Sequence, residues 1–230
     1  MERFESTKYK VQELIQENIE RIRQELPEGV RLVAVSKLKP VGDIMEAYGA
    51  GQRVFGENYA TELRDKAAAL PQDIEWHFIG HLQGKQLKYY MPFVGMIHGV
   101  DSTEHLADVE RAAAKAGRTV DVLLQLHVAQ EETKFGFSPE ELETFALPPD
   151  MQHVRVCGLM AMASNTGDTA RVRSDFRTAR RIFERLKSGP MAGADAFREL
   201  SMGMSHDWRI AVDEGSTMVR LGTSIFGSRG

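Results

Sequence analysis

A lysine at the end of a short apolar segment is the side chain in this sequence best placed to act as a nucleophile. Lys37 directly follows Leu32-Val-Ala-Val-Ser36, a segment typical of a buried β-strand. Alternate residues of a strand share a face, so Val33, Val35 and Lys37 are expected to point the same way. An amine that is partly desolvated loses charge and becomes nucleophilic, as a Schiff base to an aldehyde requires. A solvated lysine just past a strand is the alternative on this residue alone.

Two segments in the last part of the sequence have the composition of an anion-binding site. They are Ser201-Met-Gly-Met-Ser205 and Gly222-Thr-Ser224. Glycine lets backbone N–H groups approach an anion closely, and hydroxyl groups add donors. Both segments would follow the last two strands, where barrels of alternating strands and helices often bind phosphate. Turns selected only for tight packing are the alternative.

An arginine on the last predicted strand is expected to lie inside the fold. Met218, Arg220 and Gly222 share one face of that strand, so the guanidinium group would point inward near the rim. A buried arginine keeps its proton and requires acceptors. A ring nitrogen or a carboxylate of a ligand could provide them, and an internal ion pair with Glu57 or Glu214 is the alternative.

The elements that position these residues alternate along the sequence. Helical periodicity is clear at residues 8–26 and 169–187, and eight apolar segments between helical patterns predict strands. Eight strands in about 200 residues predict an α/β fold, a (β/α)8 TIM-type barrel with an extra N-terminal helix, as one domain over residues 1–230. An open doubly wound sheet is the alternative, but the first strand–helix turn lacks a glycine-rich fingerprint. The predicted strands are 31–36, 53–58, 74–80, 96–100, 120–128, 153–162, 197–202 and 218–226.

The composition excludes several functional classes. A net charge of −4 and the absence of a basic arm argue against nucleic acid as a partner. No apolar segment approaches the ~18 residues that a membrane-spanning helix requires. The first residues of the sequence are charged and lack the apolar central region of a signal peptide. Cys157 is the single cysteine, so neither an internal disulfide nor a cysteine-based zinc site is expected. His77 and His81 are four residues apart, but the segment Trp76-His-Phe-Ile-Gly80 predicts a strand rather than the helix of a metal-binding pair. We expect a cytoplasmic monomer without a metal site.

Six motifs occur in order along the sequence: Val35-Ser-Lys37, Phe55-Gly-Glu-Asn58-Tyr, Trp76-His-Phe-Ile-Gly80, Gly158-Leu-Met-Ala-Met162, Leu200-Ser-Met-Gly-Met-Ser205 and Val219-Arg-Leu-Gly-Thr223. Together they resemble the motifs of the pyridoxal phosphate homeostasis protein family, from about residue 7 to residue 229. The resemblance implies a fold type III barrel similar to the N-terminal domain of alanine racemase. It also implies pyridoxal 5'-phosphate (PLP) as cofactor, held as a covalent aldimine on Lys37.

The resemblance further implies a role for each matching residue. Asn58 would lie near the pyridine ring, and Arg220 beside the ring nitrogen. Ser201, Gly222 and Thr223 would bind the phosphate group. The implied function is intracellular PLP homeostasis, in which the protein holds the aldehyde, delivers it to PLP-dependent apo-enzymes and supports the balance of amino and keto acids, without robust catalysis.

Two features of the sequence, one lysine and one departure from the family pattern, stay without a role. Lys134 matches a lysine that the family often carries. The family usually shows Leu-Gln-any-Asn-Lys after the third strand, whereas this sequence reads Leu82-Gln-Gly-Lys-Gln86. This departure bears on surface contacts, so no role is transferred to Lys85 or Gln86.

Two enzymatic alternatives remain open at the level of sequence. A PLP-dependent racemase of narrow scope needs a base on each face of its substrate, and Lys37 would serve only one face. The sequence provides no clear second base, and Arg220 in place of a carboxylate would weaken the electron-withdrawing ring. A barrel enzyme that acts on a phosphorylated metabolite without a lysine adduct is the other alternative.

Overall fold

The protein forms a closed barrel of eight parallel strands in sequence order, with β1 paired to β8. The structure is a computed structural model and describes residues 2–129 and 135–227. Lys134 therefore lies outside the described residues. The strands are β1 Arg31–Val35, β2 Val54–Glu57, β3 Glu75–Phe78, β4 Met96–Val100, β5 Val120–His127, β6 Val154–Met162, β7 Glu199–Ser201 and β8 Met218–Leu221.

Helices connect the strands and cover the outside of the barrel, and an additional helix precedes β1. The link between β3 and β4 is a 3-10 helix, Gly84–Tyr89, where the sequence pattern predicts an ordinary helix. No helix within the described ranges is long and apolar enough to cross a membrane. The α-helices are α1 Glu2–Glu25, α2 Val41–Gly49, α3 Ala60–Ala69, α4 Thr103–Ala116, α5 Pro139–Glu143, α6 Thr169–Ser188, α7 Trp208–Asp213 and α8 Thr223–Phe226.

Local sequence signals set the ends of the outer helices. Ser102 caps α4 by accepting a hydrogen bond from the backbone N–H of His105, and Gly117 ends the helix in the left-handed conformation. Asp168 caps α6 through the N–H groups of Ala170 and Arg171. These capping residues fix where α4 and α6 begin and where α4 ends.

The pairing of β1 with β8 decides between the two sheet architectures predicted from the sequence. Residues from Arg31 to Ala34 pair with residues from Met218 to Leu221. In an open doubly wound sheet the two edge strands would each lack a partner on one side, whereas here every strand pairs with a neighbour on both sides. The closed (β/α)8 barrel is therefore confirmed. The register also brings the end of the first strand beside the end of the last.

The barrel interior is separate from the larger core that lies between strands and helices. A small apolar cluster fills the middle of the barrel, and Val33 belongs to it, as strand parity predicts. Polar side chains share this interior, among them His77 and His98, which are fully buried. The other members of the interior cluster are Met96, Leu123, Cys157, Met160 and Met218.

The last strand is shorter than the sequence pattern predicts. The apolar pattern extends to residue 226, whereas β8 ends at Leu221 and residues 223–226 form α8. The backbone N–H groups of Ile225 and Phe226 both donate to the carbonyl oxygen of Gly222, so the chain turns as soon as it leaves the barrel. Ile225 and Phe226 are buried against the outer layer rather than inside the sheet.

Candidate functional site

A cleft of about 260 Å³ opens at the carboxyl ends of the strands, close to the β1–β8 seam. Its size approaches the lower end of small-ligand sites, about 300 Å³. It contains every site residue predicted from the sequence except Ser201. The lining residues are Val35, Lys37, Lys39, Asn58, Ile79, Met162, Met204, Ser205, His206, Arg220, Gly222, Thr223 and Gly227.

Lys37 lies in the turn directly after β1, half-buried in the cleft. Val35 lines the cleft on the same side of the strand, as parity predicts. The next residue, Leu38, has a φ of 60°, a left-handed conformation that costs a non-glycine residue about 1 kcal/mol. The backbone around the lysine is therefore held in a conformation that the local sequence does not favour.

Four polar residues beneath this turn, Ser36, Glu57, Glu62 and Lys66, form a compact group that we call the Lys66 cluster. Lys66 Nζ donates to the carbonyl oxygen of Ser36 at 2.7 Å, to Glu57 Oε1 at 2.8 Å and to Glu62 Oε1 at 2.6 Å. Glu62 Oε1 also accepts the backbone N–H of Leu38 at 2.7 Å. The cluster therefore binds the backbone on both sides of Lys37.

Glu57 is a fully buried carboxylate within the Lys66 cluster. Its Oε1 accepts hydrogen bonds from Lys66 and from Ser36 Oγ at 2.6 Å, while Oε2 has no hydrogen-bond partner among the described residues. Burial raises the pKa of this carboxyl group, and its hydrogen bonds with Lys66 and Ser36 oppose the rise. The negative charge on Glu57 thus depends on Lys66.

Asn58 follows β2 and turns its side chain towards the cleft. Its amide oxygen Oδ1 is buried and lacks a hydrogen-bond partner in the part of the chain that the structure describes. A buried polar atom without a partner costs stability, and binding sites are where such atoms accumulate. A ligand with a donor at this position would satisfy it.

Arg220 reaches into the cleft from β8 and is almost completely buried. Its Nη1 donates to the carbonyl oxygen of Ser201 at 2.9 Å and to Ser201 Oγ at 2.6 Å, and its Nη2 donates to the carbonyl oxygen of Ala161 at 3.1 Å. Burial lowers the pKa of the guanidinium group to about 10, so it stays cationic at neutral pH.

The internal ion pair considered for Arg220 does not form. Glu57 pairs with Lys66, and Glu214 pairs with Arg173 and Arg177 on the outer surface. The acceptors of Arg220 are neutral oxygens, so a positive charge lies at the base of the cleft. An electron-rich group of a ligand would be attracted to it.

Ser201 lies beneath the cleft rather than in its lining. It is fully buried, and its hydroxyl group contacts Arg220 and His98. The serine that reaches the cleft from the same segment is Ser205, whose Oγ accepts the N–H groups of Gly222 at 3.2 Å and Ser224 at 3.3 Å. Ser205 lies beyond the end of β7, whereas Ser201 belongs to that strand, and this difference in position is the sequence signal for choosing between them.

Glycines shape the turn that presents these donors. Gly203 has a φ of 94°, and a methyl group there would lie 2.8 Å from Trp208 Cα and Ala211 Cβ of α7. At Gly222 an added Cβ would lie 3.2 Å from the carbonyl oxygen of Val35. Backbone N–H groups and the Ser205 hydroxyl therefore meet at one corner, as an anion site requires.

A family model described as "Alanine racemase, N-terminal domain" matches residues 12–230. The chain is 39% identical to the pyridoxal phosphate homeostasis protein of Aquifex aeolicus, covering 86% of this chain and 87% of that protein. It is also 39% identical to the protein of the same name from Homo sapiens, covering 95% of this chain and 84% of that protein.

Solved structures with the same fold include PipY of Synechococcus elongatus PCC7942, at 37% identity. The alignment covers 93% of this chain and all of the PipY chain. The TM-score is 0.83 for the PipY structure without PLP and 0.80 for the structure with PLP bound. Alanine racemase from Corynebacterium glutamicum matches 95% of this chain and 62% of that one, with a TM-score of 0.74 and 17% identity. The latter likeness shows the fold alone.

Proposed function

Since this chain belongs to the pyridoxal phosphate homeostasis protein family, we propose that it binds PLP in the cleft around Lys37 and serves intracellular homeostasis of this cofactor. The observation that carries the proposal is one cleft that holds an amine, a buried cation and a turn of anion donors. An aldehyde, a ring nitrogen and a phosphate are the groups of PLP that would match them. The buried Asn58 Oδ1 without a partner among the described residues fits a ligand as well.

Each residue of the cleft has a proposed task. Lys37 attaches the aldehyde covalently through its ε-amine as a Schiff base. Ser205, Gly222 and Thr223 bind the phosphate, and Asn58 contacts the ring. Ser201 contributes from below by holding Arg220 rather than through direct contact.

Arg220 is the residue that favours binding over turnover. Bound PLP supplies an electron-withdrawing ring, which is strongest when its ring nitrogen is protonated. A guanidinium group beside that nitrogen disfavours the additional proton because both groups would be positive. We therefore propose a protein that holds the cofactor and releases it to PLP-dependent apo-enzymes, rather than an efficient enzyme.

Reduction of the protein by borohydride tests the covalent attachment. PLP-loaded protein should absorb in the visible range, and reduction should add the mass of the cofactor to the peptide that contains Lys37. Lys37→Ala should lose the absorbance and the label. The matched control is Lys39→Ala, because Lys39 lines the same cleft but donates to the carbonyl oxygen of Phe226. A label on Lys39, or unchanged absorbance in Lys37→Ala, would contradict the assignment.

Two further measurements test holding and delivery. An apo-aminotransferase mixed with the PLP-loaded protein should regain activity. In a second assay, the original protein should protect the aldehyde of PLP from a competing amine, whereas Lys37→Ala preincubated with the same amount of PLP should not. Exchange of the α-hydrogen of common amino acids for deuterium should not exceed the rate with free PLP. Exchange that depends on Lys37 and on His206, which also lines the cleft, would instead support the racemase alternative.

We also propose a cytoplasmic monomer, as the composition of the sequence indicates. Sedimentation velocity at micromolar concentration checks the oligomeric state. A single species near 25.8 kDa is expected. A species of twice this mass would overturn it.

A further inference from the structure

Six side chains form one continuous series of hydrogen bonds through the barrel interior, which we call the interior chain. It begins at Arg31 and Glu75 at the amino ends of the strands and passes through His77, His98 and Ser201 to Arg220 in the cleft. The successive distances are 2.8 Å from Arg31 Nη2 to Glu75 Oε1, 2.8 Å from Glu75 Oε1 to His77 Nε2, 2.9 Å from His77 Nδ1 to His98 Nε2, 3.3 Å from His98 Nδ1 to Ser201 Oγ and 2.6 Å from Ser201 Oγ to Arg220 Nη1.

The two ends fix the direction of every hydrogen bond between them. An ionised Glu75 only accepts, so His77 carries its hydrogen on Nε2, and its Nδ1 must accept from His98 Nε2. His98 Nδ1 then accepts from the Ser201 hydroxyl group. At the other end Arg220 only donates, and the Ser201 oxygen accepts its hydrogen. One arrangement of hydrogens satisfies all the bonds, and the reverse arrangement would require a protonated Glu75.

The electrostatic surroundings favour this arrangement at neutral pH. Hydrogen bonding with His77 and the proximity of Arg31 hold the pKa of Glu75 at about 2. Burial lowers the pKa of both imidazole rings, and the nearby cations Arg31 and Arg220 lower that of His98 further. At His77 the hydrogen bond to Glu75 and the charge of Glu75, and more weakly the charge of Glu199, oppose the lowering of the pKa without reversing it. Both rings are therefore neutral, with defined tautomers.

We propose that His77 and His98 are positioning residues for the cofactor, which act through Ser201 to hold the Arg220 guanidinium group in the cleft. The inference rests on the proposed function and deepens it. Because His98 takes the hydroxyl hydrogen of Ser201, the Ser201 oxygen keeps its lone pairs directed at Arg220. Neither histidine lies in the cleft lining, so their effect on a ligand passes through this one contact.

Apolar residues would fill the same space if packing were the only requirement. Met96, Leu123 and Met160 fill other parts of the barrel interior in this way. Burying two imidazole rings instead costs stability unless each nitrogen has a partner. Here every ring nitrogen of the pair has one. The series of hydrogen bonds thus links the orientation of the Arg220 guanidinium group to the carboxylate of Glu75 at the other end of the interior chain.

Nitrogen-15 NMR of the cofactor-free protein tests the interior chain directly. At pH 7 hydrogens should be found on Nε2 of His77 and of His98, with both Nδ1 atoms bare. A hydrogen on Nδ1 of either ring at this pH overturns the inference. Because this readout needs no cofactor, it is independent of whether PLP binds.

Substitutions test whether the chain acts on the cofactor. His98→Phe and Ser201→Ala should each weaken PLP binding about tenfold, as expected for loss of one hydrogen bond to a charged group. The double variant should be no weaker than either single variant, because both changes break the same chain. The pH midpoint of the absorbance change of bound PLP should shift equally in all three.

Met96→Leu is the matched control, since Met96 lies in the same interior layer and pairs in register with His77. It should bind PLP within about twofold of the original protein. Effects of His98→Phe and Ser201→Ala that multiply, or an unchanged affinity and spectrum in folded His98→Phe, would overturn the proposal. If His98→Phe does not fold, Ser201→Ala is compared with Ser201→Thr, which keeps the hydroxyl group. Only Ser201→Ala should then weaken PLP binding, and equal binding by both variants would overturn the proposal. Failure of the original protein to bind PLP would instead refute the proposed function.

Discussion

Removal of the ammonium group from the Lys66 cluster should destabilise the protein strongly and disturb the turn that carries Lys37. The change is Lys66→Met, which keeps the length of the side chain and removes three hydrogen bonds, two of them to carboxylates. Glu57 would be left buried without its cationic partner. Breaking a buried ion pair in this way typically costs about 3–5 kcal/mol. We expect about 3 kcal/mol at pH 7, because Ser36 still donates to Glu57.

The dependence of this loss on pH identifies its cause. Burial raises the native pKa of Glu57 above its ordinary value of 4.5, and loss of Lys66 would raise it further. A native pKa above the unfolded one means that the native state binds more protons, so stability falls as pH rises and recovers as pH falls. The difference between Lys66→Met and the original protein should therefore shrink from pH 7 towards pH 5.

Urea unfolding followed by tryptophan fluorescence measures the free energy of unfolding at both pH values. Glu57→Gln in the Lys66→Met background should recover part of the loss, because the uncompensated charge is gone. Lys115→Met, an exposed lysine on α4, is the control and should change stability by less than about 1 kcal/mol. The rate at which Lys37 reacts with PLP should fall in Lys66→Met. A loss below about 1 kcal/mol, or one that grows as pH falls, would refute this reasoning.

Three other predictions concern the barrel. Gly203→Ala should lower the free energy of unfolding by about 2 kcal/mol or more, because φ is positive there and the methyl group would press on Trp208; urea unfolding measures it. Burial raises the pKa of the Cys157 thiol to about 11, so a thiol reagent at pH 8 should modify it in urea far faster than in the folded protein. Because the pKa values of His77 and His98 are lowered in the folded protein, the unfolded state binds more protons below pH 6.5. The free energy of unfolding should therefore decrease as the pH is lowered, by up to about 1.4 kcal/mol per pH unit for each ring that stays neutral in the folded state. Urea unfolding at a series of pH values measures this decrease.

Strand parity predicted the parts of the site that depend on local sequence. The faces of β1 and β8 follow from counting alternate residues, so Val35, Lys37 and Arg220 could be assigned to the interior from their spacing alone. The eight strands followed from apolar segments that alternate with helices. These features depend on neighbours in the sequence, which is why the pattern carries them.

Contacts between distant segments could not be predicted in this way. Lys66 lies on an outer helix, and nothing in its helical spacing indicates that it binds the backbone beside Lys37. The sequence predicts that His77 and His98 lie on strands, but it does not predict their hydrogen bonds. These bonds join three different strands, β3, β4 and β7, which are far apart in the sequence. The sequence pattern places Ser201 inside the seventh strand and Ser205 after it, in agreement with the observed end of β7. Ser201 is assigned to the phosphate because the family resemblance implies it, and not because of its position on the strand.

The seam between β1 and β8 has a consequence for how the protein is made. Lys37 and Arg220 belong to strands near opposite ends of the polypeptide, and they become neighbours only when those strands pair. During synthesis the ribosome must therefore release almost the whole barrel before a complete cofactor site exists, and long-range closure of this kind is slow. A ligand that bridges the seam would lock it after closure and extend the lifetime of the mature protein. If PLP is that ligand, as proposed above, the stability of the closed barrel would rise with the concentration of free PLP.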